Sequence, residues 1–156
     1  MVSDHNSYSD SVQSMSELLS SATEKISVKN YKGALADLEK IPAAARSPLA
    51  LSAHALCQAE VEGNYKTAVN NCHDAIKKEP KNPEHYYRQG RILLLAGRKK
   101  DAIWVMRMGL RHGKHKGILD ALAHFGIRRT PPLTFLPRSN PLNKYLGMFL
   151  SRLNLR

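Results

Sequence analysis

The sequence predicts an all-α fold built as a solenoid of paired helices, and three observations predict it. The first is a self-match at a fixed offset of 34 residues: Tyr31 with Tyr65, Asn30 with Asn64, Gly63 with Gly97, then Ala34, Ala68 and Ala102, Leu35, Val69 and Ile103, and Leu38, Cys72 and Met106. The second is the helical interval between apolar residues inside each unit, as in Ala68, Cys72, Ala75 and Ile76. The third is punctuation by Pro, Asn and Gly at the places where helices should start and stop. Each pair of short amphipathic helices exposes an apolar face that only the next pair can cover, so such a period implies stacking of pairs.

Taken in order, residues 14–17 (SMSE) read as a capping box opening the first helix. The first unit, about 15–48, keeps Tyr31, Ala34 and Leu38, but Pro42 in IPAAARSP stops its second helix early. The second unit, about 49–82, closes at Pro80, and Lys81-Asn82-Pro83-Glu84 ends one helix and opens the next. The third, about 83–116, has Gly90 where two helices approach closely and Gly97 in the turn. KGILDALAHFG then reads as an amphipathic capping helix over about 117–126, with Ile118, Leu119, Leu122 and Phe125 on one face. Residues 1–126 are thus the repeat domain and 127–156 an extension.

The extension divides in two. Prolines 131, 132, 137 and 141 should hold 128–140 extended. From Pro141 onwards Leu142, Tyr145, Leu146, Phe149, Leu150 and Leu153 fall on one face of a helix. That helix could dock on its own solenoid, engage a partner or lie on an anionic membrane surface. Leu133, Phe135 and Leu136 favour docking, because a solvated linker would not carry them.

In GNYKTAVNNCHDAIKKEPKN, Tyr65, Ala68, Ala75 and Pro80 stand at the spacing of a tetratricopeptide (TPR) second helix and its terminating proline. In the third unit Tyr86, Gly90, Gly97 and Ala102 match the same pattern. The chain therefore resembles the TPR family over about three repeats, with Leu56, Gly109 and Lys114 departing from its pattern and the extension resembling no recognised family. The resemblance implies a right-handed superhelix of antiparallel pairs and a partner-binding groove lined by the first helix of each pair. On this chain that groove would present Ala53, Cys57, Glu60, Glu84, Tyr87, Arg88, Arg91 and Leu94. TPR domains that clamp a terminal carboxylate use Lys and Asn at set groove positions, for which only Arg88 or Arg91 could substitute here.

Charge is distributed unevenly. Residues 1–84 carry 9 Lys/Arg against 11 Asp/Glu, whereas 85–156 carry 15 against 2. A field of one sign over that half attracts polyanions or an acidic protein. Lys100, Arg107, Arg111, Lys114, Lys116, Arg128 and Arg129 form the candidate basic patch, with the first three on one helix face. Trp104, Tyr86 and Tyr87 are assigned to packing positions, so base stacking has little support.

Motifs for catalysis are missing: there is no phosphate loop, no GxSxG, no HExxH and no CxxC. His112 and His115 are three apart, but four cations around them would repel a metal ion. Cys57 and Cys72 lie in apolar patterns and read as enclosed thiols of a reducing compartment. The expected protein is non-enzymatic and cytoplasmic, without cofactor, metal or membrane span. Its expected role is that of an adaptor or small chaperone-like scaffold that holds a segment of another protein in its groove. The alternative is a basic scaffold binding RNA or another polyanion through its C-terminal half. Oligomeric state does not follow from the sequence.

Overall fold

The structure, a computed structural model, describes residues 3–126 together with Pro141 and Tyr145, and side chains from Val12 onwards. Backbone contacts divide the chain into two compact units, Met1–Leu122 and Ala123–Arg156. Among the described residues the fold is all-α. Its helices are α1 (Ser3–Ser27), α2 (Tyr31–Glu39), α3 (Pro48–Glu62), α4 (Tyr65–Lys78), α5 (Pro83–Leu95), α6 (Lys99–Leu110) and α7 (Lys116–Gly126), with one 3-10 turn at Ala43–Ala45.

Helix boundaries follow local chemistry. Asn30 and Asn64 cap α2 and α4, their side-chain oxygens accepting from Gly33 N (3.1 Å) and Thr67 N (3.4 Å). Ser47 and Asn82 cap α3 and α5 in the same way, each followed by a proline in the first turn. Helix α2 ends at Glu39, three residues short of Pro42, as the sequence implies. The capping box at 14–17 is corrected, because α1 begins at Ser3 and these residues lie inside it. Hydroxyls within this helix turn back on the preceding turn instead: Ser16 Oγ donates to Gln13 O and Thr23 Oγ1 to Leu19 O.

The 34-residue step survives in three dimensions as local geometry. Ala34, Ala68 and Ala102 are all fully enclosed, as are Leu38, Cys72 and Met106. Lys29, Gly63 and Gly97, each at the same step, have φ of 62°, 71° and 73°. Each helix packs on the next from α1 to α6, and α1 and α5 also both touch α3. One apolar cluster joins α1, α2 and α3 through Ala22, Leu38, Ala53 and Cys57. A second joins α3, α4 and α5 through Leu56, Cys72 and Ile92, and a third joins α5 to α6. Each fully enclosed Leu or Ile in these clusters stabilises the fold by roughly 1.5–3 kcal/mol.

Close approach explains two glycines. A Cβ on Gly90 would lie 2.6 Å from Met106 Cγ, and one on Gly109 would lie 2.7 Å from Tyr86 Cβ. Gly109, which departs from the expected alanine, is thus the residue that lets α5 and the start of α7 meet α6. On α7, Ile118 is buried but Leu119 is exposed, so the apolar face expected there is narrower than the sequence pattern. No helix among the described residues is long and apolar enough to cross a membrane.

Candidate functional site

A groove of about 480 Å³ lies between α1 and α5. Thr23, Ile26 and Ser27 of α1 form one wall, Lys29 and Tyr31 one end, and Glu84, Tyr87, Arg88 and Arg91 of α5 the other wall. Helical spacing puts the four α5 residues in line, since positions 84, 87, 88 and 91 share one face. Half of the expected groove residues are therefore brought together here.

Arg91 organises the floor. Its Nη2 donates to Glu60 Oε1 (2.6 Å) from α3 and to the Tyr31 hydroxyl (2.6 Å) from α2. The guanidinium also sits 5.4 Å from the Tyr31 ring and 5.9 Å from the Tyr87 ring. Burial opposes its charge, but Tyr31, Tyr87 and Glu60 together outweigh that and raise its pKa. The Tyr31 oxygen accepts from Arg91, which leaves its O–H hydrogen available to a ligand.

Glu84 is shared between Arg88 Nε (2.8 Å) and His115 Nε2 (2.6 Å). Burial alone would raise its pKa, yet the Arg88 guanidinium and the His115 contact hold it below the ordinary carboxylate value. His115 also packs on Tyr87, their ring centroids 4.7 Å apart and tilted by 36°, and accepts from Ile118 N, so the 111–115 connection is fastened to α5. His112 stacks separately on Tyr86. The two histidines thus have different partners, and among the described residues no group of three or more His, Cys, Asp or Glu could hold a metal.

Four expected groove residues lie elsewhere. Ala53 and Cys57 are fully enclosed in the cluster under α1 and α2, because small side chains on α3 let those helices close over it. Burial pushes the Cys57 and Cys72 thiols up to about 12, so neither is poised as a nucleophile. Leu94 is half-buried against the α5–α6 cluster. Glu60 reaches the groove only through Arg91. The wall from α1 was missed by sequence reasoning, although the 34-residue step had paired Tyr31, at one end of the groove, with Tyr65.

Beneath the groove runs a polar chain that reaches the surface at Glu79. Arg88, 3% exposed, donates to Leu49 O (2.8 Å) and Ser52 Oγ (3.0 Å). Ser52 Oγ lies 2.9 Å from His85 Nδ1, and His85 Nε2 lies 3.0 Å from Glu79 Oε2. This is the spacing of a charge relay, but Ser52 and His85 are fully enclosed, so a substrate could reach the hydroxyl only if α3 and α5 separated. The chain ties α3, α4 and α5 together.

In the basic patch Lys100, Arg107, Arg111, Lys114 and Lys116 are all exposed, whereas Arg128 and Arg129 lie outside the described residues. Trp104 corrects its packing assignment: it is 65% exposed on α6. The inward face of α6 is Ala102, Val105, Met106 and Gly109, and Trp104 stands opposite it. Of the expected tail helix, Tyr145 is 67% exposed, and Leu142, Leu146, Phe149, Leu150 and Leu153 lie outside the described residues. Compared with known proteins, the chain matches no family model and no curated sequence.

Proposed function

We propose that this protein is a non-enzymatic protein-interaction module, an adaptor or small chaperone-like scaffold, that holds an extended or helical segment of a partner between α1 and α5. The observation carrying this is the groove itself, with Tyr31 and Tyr87 flanking Arg91. Two amphipathic rings beside satisfied charges make a surface that binds apolar and hydrogen-bonding side chains together. A right-handed TPR-like solenoid is the architecture we infer around it. Support for that comes from the 34-residue recurrence of enclosed alanines, asparagine caps and left-handed turn residues. A cytoplasmic, reducing location suits two enclosed free thiols.

The test is selection from a random-peptide phage library on the full chain, followed by affinity measurement of the enriched peptides. Thr23→Trp fills the groove from an exposed helix position. Enriched peptides should lose at least about tenfold in affinity to this variant, its thermal unfolding should be unchanged, and binding should respond little to salt. Failure to enrich any peptide, or equal binding by the variant, overturns the reading.

A further inference from the structure

Outside the groove, α6 presents a face of unusual composition. At 100° per residue Lys100, Trp104, Arg107 and Arg111 fall within one narrow sector, opposite the buried Ala102, Val105, Met106 and Gly109. Lys114 and Lys116 continue the row beyond the helix, both exposed. The helix's carboxylate, Asp101, is held by Arg98 at 2.7 Å and does not neutralise the row. An indole left 65% exposed between cations at i−4, i+3 and i+7 contributes little to the core.

We propose that this face binds single-stranded nucleic acid, with phosphates on Lys100, Arg107, Arg111 and the following lysines, and a base stacked on Trp104. The alternation of cation and flat ring matches a strand that alternates phosphate and base. From Lys100 to Arg111 the row runs about 16 Å along the helix axis. A membrane surface fits less well. It needs a continuous apolar stripe, and the apolar stripe of α6 faces the core. The chain's own extension is a poor occupant too, since every charged residue after Asp120 is cationic. This proposal is independent of the α1–α5 groove.

Trp104 is the chain's one tryptophan, so fluorescence excited selectively at the indole reads this site alone. Full-length protein titrated with a 20-nucleotide oligothymidylate in 50 mM salt should show quenching of Trp104. Five phosphate contacts predict an affinity loss of roughly 130-fold between 50 and 200 mM salt. Trp104→Ala should weaken binding by roughly 5- to 100-fold, read by a labelled oligonucleotide, with Trp104→Phe recovering most of it. Arg107→Glu with Arg111→Glu should flatten the salt dependence. All three positions are exposed, so folding should be preserved, which circular dichroism checks.

Several results overturn the proposal. One is no quenching by the oligonucleotide at 50 mM salt, and another is binding that ignores both the Trp104 and the arginine variants. Equal quenching by polyglutamate or by anionic phospholipid vesicles would make the face a general anion or membrane surface. A Trp104 spectrum that shifts on dilution, or on truncation after Gly126, would mean a second copy or the extension covers it.

Discussion

Lys29 holds the same left-handed backbone as Gly63, 34 residues further on, with φ of 62° against 71°. Both close a helix and hand over to an asparagine cap, Asn30 in one case and Asn64 in the other. A lysine in this region carries a Cβ strain that glycine lacks, of order 1 kcal/mol. Lys29→Gly should therefore stabilise the fold by about 0.5–1 kcal/mol, and Lys29→Ala should not. Thermal melts should show a rise of about 1–4 °C for the first variant alone.

Gly109 makes the opposite case, because there the constraint is space. A methyl group would meet Tyr86 Cβ at 2.7 Å and Ile118 Cδ1 at 3.0 Å, both on packed side chains. Alanine gains about 1 kcal/mol in helix propensity, but overpacking costs about 1–3 kcal/mol, so the clash wins. Gly109→Ala should lower the urea midpoint by the equivalent of about 1 kcal/mol. Gly113→Ala, where the nearest atom is Pro83 Cγ at 3.7 Å, should be close to neutral.

Residues such as these explain what the sequence made legible. Caps and turn glycines act locally, so Asn82 and Gly97 marked helix ends correctly. The length of α1 was hidden because its first half is rich in Ser and Asp, which favour caps as readily as helix interiors. Ala53 and Cys57 were misplaced because small residues serve equally in a groove and at a tight helix contact, and only the packing of α1 and α2 on α3 decides between them. Trp104 was assigned to a repeat packing position, although its register opposite Ala102 and Met106 already pointed outward.

Asp37 should give the fold an acid-sensitive joint. Its carboxylate accepts from Ser21 Oγ at 2.8 Å and pairs with Lys25 and, at 3.4 Å, with Lys40, tying α2 to α1. The hydrogen bonds from Lys25 and Ser21 outweigh desolvation and lower its pKa from 3.8 to about 2. A depressed carboxylate stabilises the fold above its unfolded value, and that contribution is lost as pH falls from about 3.8 to about 2. Asp37→Asn should cost roughly 1 kcal/mol at pH 6. Melting both proteins from pH 6 downwards should show the gap closing within that window; a gap constant with pH would mean that the charge contributes nothing.

Arg88 should matter more to stability than Asp37, and with a different pH signature. It supplies the donors for Leu49 O and Ser52 Oγ and the charge beside Glu84. Arg88→Met keeps the stem but removes all three partners, while Glu84 retains His115 and about a third of its exposure. The loss should accordingly fall near the lower end of that for a broken buried pair, about 2–3 kcal/mol by urea unfolding. Without the guanidinium, the burial that already opposes ionisation of Glu84 meets less resistance, so its pKa should rise from its lowered value. Wild-type Glu84, with its lowered pKa, adds stability as pH climbs towards its ordinary value of 4.5, so the deficit of Arg88→Met should grow as pH rises to about 4.5. Adding Glu84→Gln to Arg88→Met should flatten that pH dependence and recover part of the stability. A double variant as unstable at pH 7 as the single one would show that Leu49 and Ser52, and not the charge of Glu84, are what Arg88 satisfies.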